Sequence, residues 1–255
     1  MQKLKINLNL QIMTSKNRKV KSMQITSLGF NTNSIAFGSG NKAQKRQSQA
    51  ARMGLSEVPN SMDVINRLKD ERRAKVEAKY LGIPVETATP KAVQQKKNEI
   101  IKDVVKQELG LDLNKIKNKE SAVGSWDFRH YDLSERPEVL KNQDICKKIV
   151  EAKLVGDATG KEFSQVTTGD VLDYGEKLYN QSEAKENEFD EAVDKKTDLI
   201  GRKMYAGFYG LQKENLTWDD INKAKDVIEA DVYKAFYPKS TEADYERHRQ
   251  FDYYC

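Results

Sequence analysis

The chain has 255 residues, of which 38% are apolar and 33% charged, and a mean hydropathy of −0.79. That length suits one large domain or two small ones, but the apolar share is low for a fully compact body, so long solvated helices, arms or partner-buried surfaces are expected. No apolar run approaches the roughly 20 residues that cross a bilayer, and the basic start lacks the continuous apolar stretch of a secretory signal, so neither a membrane span nor a signal peptide is read here.

Charge is unevenly placed. The first acid is Glu57, and ten Lys or Arg residues precede it, so residues 1–56 carry +10. The remaining 34 basic and 39 acidic residues leave −5. A basic stretch without acids is drawn to phosphates or to an acidic protein face.

In chain order, Leu4, Ile6, Leu8, Leu10 and Ile12 alternate with Lys3, Lys5, Asn7, Asn9 and Gln11. The period of two predicts a strand with one face to bury. A turn from Thr14 to Lys19 and a weaker strand from Val20 to Thr26 would complete a β-hairpin, which is marginal alone and needs a cover. Residues 27–55, rich in Gly, Ser, Asn, Gln and Lys, read as an extended connector. Ser61 or Asn60 then caps a helix to about Leu81, stopped by Gly82 with Pro84 beyond. Thr89 caps a second, with Pro90 at its first position and Gly110 at its close. Val93, Ile100, Ile101, Val104, Val105 and Leu109 stripe it, and the pair predicts a helical hairpin over 61–110.

Trp126, Phe128 and Tyr131 are expected as anchors joining the halves. Ser134 is read as the start of a helical stretch through Leu154, followed by a loop from Gly156 to Gly160. Residues 168–208 are helical in pattern, either unbroken at roughly 60 Å or broken between Asn180 and Asn187. Thr217 with Asp220 forms a capping-box start for a helix through Phe236, ended by Pro238. A short helix follows Ser240.

Candidate chemical motifs fail on spacing. Gly156-Asp-Ala-Thr-Gly160-Lys161 has three residues between glycines and Glu162 after the lysine, where a phosphate loop needs four and a hydroxyl. Gly38-Ser39-Gly40 lacks a third glycine. Asp112–Glu120 lacks the ligand spacing of a calcium loop. His130 and His248 have no partner at zinc spacing. Cys146 and Cys255 are read as reduced thiols in an intracellular setting. No catalytic residue, metal or cofactor is predicted.

The sequence thus predicts a mainly α fold: a basic N-terminal arm with β-hairpin and connector (1–56), a helical hairpin (57–120) and an aromatic-rich helical body (121–255). The arm, through Lys16, Arg18, Lys19, Lys21, Lys42, Lys45, Arg46 and Arg52, is expected to hold a partner. The strand face Leu4–Ile12 is expected to add to a neighbour's sheet, and Phe251, Tyr253 and Tyr254 to anchor the C-terminus on its own core or a partner. The acidic run Glu183–Asp198 reads as a solvated face, or as a dock for the arm of a neighbouring copy. The plan resembles that of tailed-phage connector and neck proteins and of ribonucleoprotein-particle proteins. The resemblance implies a non-enzymatic, homo-oligomeric virion or intracellular assembly subunit, with phosphate-backbone binding as the alternative and no membrane partner.

Overall fold

Hydroxyl, amide and glycine caps divide the described residues, 40–116, 133–213 and 215–252 of the computed structural model, into eight α-helices. They are α1 (Gly40–Arg52), α2 (Met62–Leu81), α3 (Pro90–Leu109), α4 (Gln143–Thr159), α5 (Thr168–Gln181), α6 (Glu183–Phe208), α7 (Trp218–Phe236) and α8 (Glu242–Asp252). The expected β-hairpin and the aromatic anchors Trp126, Phe128 and Tyr131 lie outside the described residues.

The caps act where the sequence placed them. Ser61 accepts from the Val64 amide to start α2, and Thr89 from the Ala92 amide to start α3. Gly82 and Gly110 close these helices at φ 67°. Thr217 and Asp220 exchange hydrogen bonds at the start of α7. Of the two readings of 168–208, the break holds. Ser182, extended at φ −175°, ends α5 and caps α6 through the Lys185 amide.

Three expectations are corrected. Residues 40–52 of the expected connector are the helix α1; its alanines, glutamines and basic residues are good helix formers, and Ala50 and Met53 at its end are buried. The stretch from Ser134 is not yet α-helical. Pro137–Lys141 forms a 3-10 turn, and α4 starts only where Asn142 accepts from the Asp144 and Ile145 amides. Gly156–Thr159 is not a loop but the last turn of α4, with Gly160 in the left-handed conformation beyond it. A Cβ on Gly156 would lie 2.9 Å from the Lys161 carbonyl, so glycine is there for a close approach rather than for a turn.

Helix α6, 26 residues long and thus about 39 Å, is the spine. Along it α3 runs antiparallel, with Ile100 opposite Gly207 and Glu108 accepting from Lys196 and Lys203. Helix α4 is also antiparallel to it, with Lys147 paired to Asp194. Helix α5 folds back so that Tyr174 meets Phe189 edge-on, ring centres 5.3 Å apart. The largest apolar cluster, with Ile101, Ile149, Val150, Ile200 and Met204, joins α3, α4 and α6. Cys146 is a free thiol within it, pushed up to about 11 by burial, which suppresses the reactive thiolate. Ala74, Ala78 and Leu81 of α2 pack on Ala88 and Val93, completing the α2–α3 hairpin. Val76 of α2 packs on Ile228 and Val232 of α7. Helix α1 rests on α2 and α8 on α7. No helix among the described residues is long and apolar enough to cross a membrane.

Two features of the spine yield tests. A Cβ at Gly207 would sit 2.6 Å from Ile100 Cγ2. Gly207→Ala should therefore destabilise the fold by about 1–3 kcal/mol, as overpacking does, read from the urea midpoint. On the α4–α6 face, burial and then the charge of Asp190 raise the pKa of Glu151. The stability linked to Glu151 is therefore present below its unfolded pKa and lost as pH rises through the folded value. Glu151→Gln should raise the melting temperature at pH 7, and the gain should shrink towards pH 4.

Candidate interaction surface

Helix α1 carries Lys42, Lys45, Arg46 and Arg52 and no acid. It is seated by apolar contact and by guanidinium groups on carbonyls and a ring, rather than by ion pairs. Ala50 and Met53 are buried, and Met53 joins Ile65, Tyr233 and Tyr237 in a cluster with Leu55, Leu68 and Phe236 around it. Arg46 Nη1 donates to the Asn60 carbonyl. Arg52 stacks over the Tyr237 ring, 4.4 Å from its centre.

The seat depends on Arg72. Its Nη1 lies 3.1 Å from the Met53 carbonyl oxygen, 3.1 Å from that of Ala235 and 2.9 Å from that of Phe236. The last carbonyls of a helix have no partner within it and form the negative end of its dipole. One guanidinium therefore caps α7 while holding the exit of α1. Lys69 lies 5.5 Å from the Tyr237 ring centre and Arg73 lies 5.9 Å from that of Phe236, where the negative ring faces favour cations.

Helix α8 completes the surface. Thr241 and Asp244 cap it reciprocally. The Thr241 amide, then its hydroxyl, then Arg247 hold the Asp244 carboxyl below the ordinary carboxylate range. Tyr245 and His248 pack on Tyr233 with ring centres 5.4 and 5.0 Å away. Between α1, the α7–α8 turn and α8 lies an open groove of about 590 Å³, lined by Arg52, Tyr233, Tyr237, Lys239, Ser240, Asp244, Arg247 and His248, with one carboxylate among its cations and rings.

Neutralisation is partial. Arg73 pairs with Glu229, Arg247 with Asp244 and Arg249 with Asp226. Among the described residues, no carboxylate lies within ion-pair distance of Lys42, Lys45, Arg46, Arg52, Lys69 or Lys239. The arrangement gathers Arg52, Lys69 and Lys239 about Tyr237 and its groove, with Lys42 and Lys45 farther along α1, and such a surface attracts phosphate or carboxylate groups.

Of the predicted arm residues, the structure places Lys42, Lys45, Arg46 and Arg52 together on α1. Lys16, Arg18, Lys19, Lys21 and the strand face Leu4, Ile6, Leu8, Leu10 and Ile12 lie outside the described residues. Phe251 belongs to α8; its side chain, Tyr253 and Tyr254 lie outside them as well. Sequence reasoning missed Lys69, Arg72, Tyr237 and Lys239. Lys69–Arg73 is a run of five consecutive charges, yet a helix points successive residues about 100° apart, so part of such a run faces inward. No group of three or more potential ligands for a metal ion occurs among the described residues. Compared with known protein families, curated proteins and solved structures, the chain matches none.

Arg72→Met keeps the aliphatic stem but strands three carbonyls. It should cost about 1.5–3 kcal/mol, the range for hydrogen bonds involving a charged group. Faster amide exchange should concentrate in residues 42–53 and at the end of α7, measured by hydrogen–deuterium exchange.

Proposed function

We propose that this chain is a non-enzymatic assembly subunit that binds neighbouring subunits through α1 and the basic residues before it. The observation that carries the reading is the state of the α1 cations. The rest of the chain has a surplus of acids, yet none of those described pairs with Lys42, Lys45, Arg46 or Arg52. Helix α1 is held by Ala50, Met53 and Arg72, with Arg46 on the Asn60 carbonyl and Arg52 on the Tyr237 ring, which leaves Lys42 and Lys45 for another molecule. In this reading the alternating residues Leu4–Ile12 add as a strand to a neighbour's sheet. Phe251, Tyr253 and Tyr254, at the end of the chain, serve as a second anchor. The setting proposed is a homo-oligomer within a virion or other intracellular particle, of the tailed-phage connector or neck kind.

A second reading has one specific support. The groove beside Tyr237 combines ring faces with Arg52 and Lys239, a combination that accepts a nucleic-acid backbone.

The test replaces Lys16, Arg18, Lys19, Lys21, Lys42 and Lys45 by Ala in the full chain. Wild-type protein should form oligomers or recover a protein partner on co-purification, and the variant should bind at least about 10-fold more weakly, as expected for loss of several rim charges. A wild type that stays monomeric over a wide concentration range and recovers no protein partner overturns the assembly reading. Duplex DNA binding that weakens steeply with salt, with a shallower slope in the variant, would instead establish the second.

A further inference from the structure

Helix α5 is an incomplete surface. None of its residues is fully buried. Val171 and Tyr174 turn towards the core, but Leu172 is 67% exposed and Tyr179 59% exposed. The two are seven residues apart and therefore share a face. Gly175 lies between them in mid-helix, where glycine weakens a helix relative to alanine. Nothing among the described residues accounts for it, since a Cβ there would meet no atom within 4 Å. A residue without a side chain on an exposed apolar face lets another backbone come close.

Acids outnumber bases along α5 and α6. Asp173 and Glu176 of α5, and Glu183, Glu186 and Glu188 of α6, have no basic side chain within ion-pair distance among the described residues, against Lys177 and Lys185 as the bases without a carboxylate there. The complement is α1. Its outward residues Ala43, Gln47 and Ala51, spaced by four, are exposed and mostly small. Lys42 and Lys45, exposed and without a carboxylate partner, are on the same helix. A small-residue ridge can approach a glycine-bearing face closely, which places the cations beside the acids.

We infer that the outer face of α5 seats α1 of a second copy, so that copies join head to tail. A second copy is required because α1 within one molecule is pinned to α2 and α7 by Met53 and Arg72, whereas α5 packs on α4 and α6. The contact uses different patches on the two copies, so it is heterologous and closes into a ring or continues as a filament. This inference rests on the assembly reading and names the partner and the surface.

The experiment uses full-length chains and sedimentation velocity. Variant one carries Leu172→Lys and Tyr179→Lys; variant two carries Lys42→Glu and Lys45→Glu. All four positions are exposed, and circular dichroism checks that both variants fold. Each alone should be monomeric where wild type assembles. Mixed, they should give a 1:1 dimer and nothing larger, because one intact α1 meets one intact α5. Gly175→Ala should raise the melting temperature yet weaken self-association about 10-fold or more, as loss of a central interface contact does. Assembly of variant one at wild-type affinity overturns α5 as the seat and leaves the assembly reading standing, as does a monomeric wild type that still recovers another protein. Failure of the mixture to dimerise overturns the head-to-tail arrangement. A monomeric wild type without any protein partner removes both.

Discussion

One guanidinium nitrogen of Arg72 faces three carbonyl oxygens, and it has only two hydrogens to share among them. Two of those carbonyls end α7 and the third belongs to Met53, just beyond α1. Without a cation at this point, the exit of α1 and the negative end of α7 would bring unpaired acceptors together at the edge of an apolar cluster. With it, both chain segments are fixed to α2 by a single side chain. The position of every other cation on this surface follows. Arg52 reaches Tyr237 because α1 ends where it does, and α8 folds over Tyr233 because α7 ends at Phe236.

The opposite kind of constraint governs α6. There, contact depends on atoms being absent. Gly207 faces Ile100, and Gly210, at φ 67°, lies against the Tyr80 carbonyl, where a Cβ would come within 2.6 Å of each. These approaches set α3 and the end of α2 against the spine, and so fix where α7 departs. Among the described residues, Lys42, Lys45, Arg46, Arg52, Lys69 and Lys239 have no carboxylate within ion-pair distance, and Asp173, Glu176, Glu183, Glu186 and Glu188 of the α5–α6 hairpin have no base. Charges of this kind are what the proposed assembly uses to orient one copy against the next.

Much of the helical framework was legible because it is written in local chemistry. Ser61, Thr89 and Thr217 each present a short oxygen to an amide three residues on, and Gly82 and Gly110 take a left-handed conformation that other residues resist. These preferences need no knowledge of the rest of the chain. The errors fall where local and distant effects compete. The residues of α1 look like a connector because their polar composition says nothing of Met53, which gives the helix a floor. Gly156 looks like a turn because glycine serves two purposes, and only the Lys161 carbonyl shows which applies. Asn142, not Ser134, starts α4 because Pro137 tightens the chain into a 3-10 turn before it.

The candidate surface divides the same way. The sequence by itself determined that the chain is mainly helical, where most of its helices begin and end, and that its first 56 residues carry only positive charge. Caps, periodicity and charge counts act over a few residues, so they survive in any tertiary context. Only the tertiary structure decided which charges are spent and which are left over. Arg72 becomes a cap, Arg73 is neutralised by Glu229, and Lys42 and Lys45 have no carboxylate partner among the described residues, although all four are ordinary basic residues in the sequence. Leu172 and Tyr179 are large apolar residues of a helical stretch, yet they emerge on the surface. Pairing and burial depend on which distant element arrives alongside, and that information lies in packing, not in any short stretch of residues.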